Sequence, residues 1–148
     1  MALPVPEPGL VIRYAYLWRD EKLRGQEEGE KDRPCVIINI YVDPTGAKIV
    51  RVAPITRSPP QDPSSAMIIP QRVKVHLGLK DDLQWIVTNE TNRFIWPGPD
   101  IRRVPGSKPD REFSYGLIPG ALFRQVRDVF VAQARAHRDH PVDRDDPG

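Results

Sequence analysis

The stretch Arg33-Pro34-Cys35-Val36-Ile37-Ile38-Asn39 sets one cation at the mouth of an apolar run. Residues 35–38 are oily and largely β-branched, which reads as a buried strand. Pro34 cannot donate to a ladder, so the strand begins there. Arg33 is thus anchored beside a rigid residue, and a guanidinium so placed suits a phosphate or a carboxylate. Its alternative role is a solvated gatekeeper. Thr56 closes a second apolar segment, Ala53-Pro54-Ile55-Thr56. If Asp43-Pro44-Thr45-Gly46 turns the chain between the two segments, the start of one strand lies opposite the end of the other. Arg33 and Thr56 would then form an oxyanion clamp, the guanidinium holding one oxygen and the hydroxyl donating to another. The plainer alternative is that Thr56 caps a turn ahead of Pro59-Pro60.

The elements that must position this pair follow from composition and periodicity. A chain of 148 residues, 39% hydrophobic and 28% charged, has the make-up of one soluble domain with a single core. Seventeen prolines favour short strands and stiff loops over long helices. No apolar run reaches the roughly 20 residues of a membrane helix, and residues 1–9 lack the layout of a secretory signal. The single cysteine, Cys35, reads as a small buried side chain and fits a reducing cytoplasm. With a net charge of +2, attraction to a polyanion must come from a local patch.

Taken in order, residues 9–18 predict a first strand, 19–32 a long solvated loop, 35–41 the central strand and 48–54 its hairpin partner. Short strands are expected at 67–69 and 72–75, broken at Pro70, with a turn at 76–79. Further strands are expected at 85–88 and 94–96, around a polar bend at 89–93. From Pro119 the period changes: Leu122, Val126, Val129 and Phe130 fall on one face, predicting an amphipathic helix to about residue 136. Residues 137–148 read as a frayed, charged tail after one domain spanning 1–136. The expected architecture is mainly β, a strongly bent antiparallel sheet or partly open barrel capped by one C-terminal helix.

Pro8-Gly9, then Arg33-Pro34-Cys35-Val36-Ile37, then Val52-Ala53-Pro54-Ile55-Thr56, and finally residues 116–127 occur in an order that resembles the MazF/PemK/Kid family of bacterial toxins. The resemblance runs from about residue 8 to residue 134. It implies a small SH3-like (CcdB/MazF-type) antiparallel barrel with a C-terminal α-helix, acting as a homodimer. The implied activity is cleavage of single-stranded RNA (mRNA) without metal or cofactor, neutralised by an antitoxin protein. By this resemblance Arg33 matches the catalytic Arg and Thr56 the active-site Thr. The family's loop Glu falls on Glu27 or Glu28. Asn89-Glu90 stands where the family has Asp-Gln, and Ile95 where some members carry an acid; Asn92 and Arg93 would contact RNA.

Attack by the RNA's own 2′-OH needs a base, a donor and positive charge on the developing phosphorane. Glu27 or Glu28 would supply the base, Arg33 the charge and Thr56 the donor. His76 is either an acid or a solvated strand-end residue. His137 and His140 lack partners for a metal site. Arg51, Arg57, Arg72, Lys74, Arg93, Arg102 and Arg103 are candidates for a basic face, with Arg57, Lys74, Asn92 and Arg93 the chosen RNA contacts. Phe94 and Trp96 either stack a base or fill the core. Two other functions remain open: a toxin-fold protein that binds a topoisomerase or another partner, and a diverged SH3-like regulatory module.

Overall fold

The computed structural model describes residues 3–26, 29, 31–107, 111–136 and 140–145. Nine strands form one sheet, mainly antiparallel, built on three long neighbours: β1 (Leu10–Tyr14), β2 (Arg33–Val42) and β3 (Lys48–Thr56). β2 and β3 are the hairpin expected from the Asp43 turn. Asp43 Oδ1 accepts from the backbone N–H groups of Thr45 and Ala47 at 2.9 and 3.0 Å, which fixes the turn.

The sheet forks on both sides of this trio. Along the free edge of β3, residues 49–52 pair with β6 (Thr91–Ile95), while Ile55 and Thr56 pair with β5 (Trp85–Val87). β5 in turn pairs with β4 (Ala66–Ile68). The free edge of β1 is shared between β7 (Ile101–Arg102) and β8 (Ser114–Leu117). Ile37 pairs with Val52 but Asn39 pairs with Arg51, so Ile38 is an extra residue. Such a bulge bends its strand and increases the local twist.

Because the central strands are covered on both faces, their sequences are continuously apolar rather than alternating. One face carries Val11, Val36, Ala53 and Ile55, packed against Ile69, Val73 and Leu77 and against Leu122, Val126 and Phe130. The last three lie on α3 (Gly120–Arg135), the helix expected from the 3.6-residue period, which starts directly after Pro119. The other face carries Ile12, Tyr14, Cys35, Ile37, Val50, Val52 and Phe94. There the Tyr14 and Phe94 rings stack at 4.7 Å although their strands are not neighbours. The sheet therefore curls around this second core, yet its edges do not meet and it is not a closed barrel.

Three expectations are corrected. Residues 72–75 are not a strand but part of helix α2 (Gln71–Leu77). Its inward positions are Val73 and Leu77, four apart, while Val75 is 70% exposed. Pro70 before the helix and the left-handed Gly78 after it (φ +69°) are its start and stop signals. The loop after β1 contains a short helix α1 (Arg19–Leu23), where Trp18 N–H donates to Glu21 Oε1 at 3.0 Å.

The tail is likewise folded where the structure describes it. β9 (Pro141–Asp143) pairs in parallel with β6, and Val142 is buried. The following Arg144 has a side chain only 4% exposed and 3.1 Å from Asp100 Oδ2. Its Nη1 donates to Ala15 O at 2.8 Å and to Asn92 Oδ1 at 3.0 Å. One guanidinium thus ties the β6 edge of the curl to the chain just beyond β1. No helix among the described residues is long and apolar enough to cross a membrane.

Candidate functional site

The β2–β3 ladder ends at Cys35–Pro54, and its register carried two residues further would set Arg33 level with Thr56; on the other side β1 sets Tyr14 opposite Arg33. Directly opposed residues share a face. A row Tyr14–Arg33–Thr56–Trp85 therefore crosses four strands at the end of the second core. Tyr14 is wholly buried, whereas Arg33 and Thr56 are half-buried and line a groove of about 1190 Å³.

The Arg33 guanidinium lies over the Trp18 ring, 4.9 Å from its centroid. Among the described residues it makes no ion pair and its buried Nε has no hydrogen-bond partner. A buried donor left unmatched costs free energy, about 1–3 kcal/mol, more for a charged group. Thr56 Oγ1 accepts from Ser58 N–H at 3.1 Å. The turn-capping role is therefore present. It occupies an oxygen lone pair and leaves the hydroxyl hydrogen available to donate.

A third group in the groove is Glu90, in the bend between β5 and β6. Its Oε1 accepts from Tyr16 Oη at 3.0 Å and from Arg19 N–H at 3.1 Å. Burial raises its pKa above the ordinary carboxylate range, against the opposing pull of those two donors. Tyr16 is pushed well above its usual value, chiefly by burial and then by the Glu90 charge, so it stays a neutral donor. The Tyr16 ring meets Trp18 edge-on at 5.1 Å. Glu90, Trp18 and Arg33 line the groove, and the buried Tyr16 links Glu90 to Trp18 behind its wall. Glu90 was not among the site residues expected from the sequence, although its departure from the family's Asp-Gln marked the position.

The other expected site residues separate from this cluster. Asn92 is fully buried, its amide donating to Leu17 O at 2.7 Å and its oxygen accepting from Leu17 N–H at 2.8 Å. It holds the chain beyond β1 to β6 and presents nothing to RNA. Lys74 is 4% exposed and its Nζ donates to Asp82 O at 2.7 Å, so it braces α2 rather than a ligand. Arg93 pairs with Asp143 at 3.1 Å and sits on β6, opposite Arg51 and five residues along β3 from Thr56. Arg57 does line the groove, paired with Asp82 at 3.0 Å.

His76 is exposed in the last turn of α2. Glu27, Glu28 and His137 lie outside the described residues. Phe94 is core and Trp96 packs partly against it. Burial pushes the Cys35 thiol far up, which makes it a core side chain and no nucleophile. No cluster of three metal-ligating side chains occurs among the described residues. Compared with family models, with curated proteins and with solved structures, the chain matches none.

Proposed function

We propose that this chain is a toxin endoribonuclease of the MazF/PemK kind, which cleaves single-stranded RNA through its own 2′-OH without a metal ion. In this reading the curled sheet is a variant of the SH3-like (CcdB/MazF-type) barrel. The protein works as a cytoplasmic homodimer, and a cognate antitoxin covers the groove. One observation carries the reading. Arg33, without an ion pair among the described residues, lines the same groove as Thr56, whose hydroxyl hydrogen is available, and that groove is open to a chain-like ligand.

A phosphodiester gains negative charge on its non-bridging oxygens as the 2′ oxygen attacks. Arg33 would neutralise that charge with ionic hydrogen bonds, and Thr56 would donate to a second oxygen. The unmatched Nε then gains the partner it lacks in the free protein, which is differential stabilisation of the bound anion. Trp18, beneath the guanidinium, keeps it planar to the groove wall and offers a face for a base.

A second reading, a non-nuclease module that binds a protein partner, is favoured by the groove's charge. Arg57 is matched by Asp82 and Arg102 by Asp32, and Asp20, Asp62 and Glu90 also line the groove. Those carboxylates balance the lining cations Arg13, Lys31, Arg33, Arg57 and Lys80, so a polyanion meets little net attraction there and binding would show a shallow salt dependence. The test is cleavage of a long single-stranded RNA in excess EDTA, wild type against Arg33→Ala, with matching DNA as control. Cuts ending in cyclic phosphate, absent with DNA and in the variant, are expected. Intact RNA across several sequences, with folded protein, overturns the nuclease reading in favour of the binding one.

A further inference from the structure

Glu90 differs from every other groove carboxylate in how its two oxygens are used. Asp82 is taken by Arg57 and Asp32 by Arg102, while Asp62 accepts from Ser64 within its own turn. Asp20 is exposed on α1. Glu90 is largely enclosed, and both of its donors, Tyr16 Oη and Arg19 N–H, fall on the same oxygen, Oε1. Oε2 takes no hydrogen bond among the described residues. A carboxylate pinned through one oxygen and open at the other is oriented for proton transfer without being consumed by its own neighbours.

We propose that Glu90 is the general base of this groove, taking the 2′-OH proton on Oε2 while Arg33 holds the phosphate. The assignment rests on the ribonuclease reading above. In the step, the 2′ proton passes to Oε2 as the 2′-O–P bond forms. The P–O5′ bond breaks and its electron pair leaves on the 5′ oxygen, which takes a proton from water. Protonated Glu90 then gives its proton to the hydroxide left behind. The products are a 2′,3′-cyclic phosphate and a 5′-hydroxyl end, and the enzyme returns to its starting state.

The charged neighbours define the pH behaviour. Burial raises the Glu90 pKa and the Asp20 carboxylate raises it further, while the Tyr16 and Arg19 hydrogen bonds and the Arg19 charge lower it. Arg33 stands one aromatic pair away, across Trp18 and Tyr16. A carboxylate tuned upward in this way is a stronger base than an exposed Glu.

The experiment measures cleavage against pH for wild type, Glu90→Gln and Tyr16→Phe, alongside binding of an uncleavable 2′-deoxy strand and a thermal melt. Glu90→Gln is expected to lower kcat by about 10²–10⁴-fold, with strand binding unchanged and the acidic limb of kcat/KM gone. Tyr16→Phe removes a donor that favours the carboxylate, so its acidic limb moves to higher pH. That shift carries the test should Glu90→Gln lose its fold. Wild-type rates in Glu90→Gln, with Arg33→Ala inactive, overturn the assignment and leave the nuclease reading standing. Loss of activity in Glu27→Gln or Glu28→Gln then identifies the base. If wild type itself cuts no RNA, the nuclease reading fails and the assignment falls with it.

Discussion

Two arginines sit on the same curled sheet and are treated in opposite ways. Arg144, past β9, is 4% exposed and lies 5.4 Å from the Tyr14 ring centroid, with a carboxylate, a backbone carbonyl and an amide oxygen around it. Arg33, at the start of β2, also lies on an aromatic ring but makes no ion pair among the described residues, where its buried Nε is also unmatched. Both guanidinium groups give up part of their hydration. Only one regains equivalent partners inside the protein. The saturated arginine is a clasp, and the unsaturated one is the group that the proposed function assigns to an external anion.

Removing each guanidinium in turn and measuring stability separates the two roles. Arg144→Ala leaves Asp100, whose side chain is 15% exposed, without its counter-ion and Asn92 Oδ1 short of a donor. Breaking a buried pair on one side typically costs about 3–5 kcal/mol, and chemical denaturation should show a loss of that order. The same assay on Arg33→Ala should show little change or a slight gain, because an unmatched buried donor disappears. Equal losses in both variants would mean that Arg33 is structural as well.

Activity should invert the order. Arg33→Ala is expected to lower RNA cleavage by about 10²–10³-fold, the size seen when one preorganised donor to a developing oxyanion is removed. Arg144→Ala, assayed well below its melting temperature, should retain its rate. A variant at Arg33 that keeps full activity would move the phosphate site elsewhere in the groove.

The two regions were not equally legible in the sequence. Arg33 and Thr56 could be placed together because Pro34, the Asp43 turn and two apolar runs determine a hairpin, and hairpin register is local information. The amphipathic α3 was legible for the same reason. The clasp was not, because Arg144 follows a charged tail and its partners Asp100, Asn92 and Ala15 are distant in sequence and adjacent only after the sheet curls. Asn92 and Lys74 looked like polar contacts for RNA. Their burial is decided by β6 and α2 packing, and single-residue chemistry carries no sign of it. For α2, the Val73/Val75 alternation concealed a helix that Pro70 and Gly78 bracketed, since seven residues give both periods almost equal support.

Glu90 offers a subtler test of the same contrast, through linkage rather than loss. Its folded-state pKa is raised by burial, so between the unfolded and folded values the native state binds more protons than the unfolded one. Stability contributed by Glu90 is therefore full at acid pH and falls as pH rises through that window. Glu90→Gln keeps an acceptor for Tyr16 and Arg19 but cannot ionise. It should be more stable than wild type at neutral pH and no different in acid. An increment independent of pH would show that Glu90 does not titrate as described.

The smallest effect is expected at Arg57, the case between the two extremes. It lines the groove like Arg33 and has a carboxylate partner like Arg144, but the Arg57 and Asp82 side chains are 54% and 51% exposed. Exposed pairs are worth about 0–1 kcal/mol, so Arg57→Ala should denature close to wild type. If an RNA phosphate displaces Asp82, the variant should bind a single strand slightly less tightly. With one phosphate fewer neutralised, the slope of log affinity against log salt should be shallower by about 0.7. An unchanged slope would leave Arg57 a surface residue and narrow the anion site to Arg33. The distinction between a reserved and a committed arginine would then depend on counter-ion access, since both line the same groove.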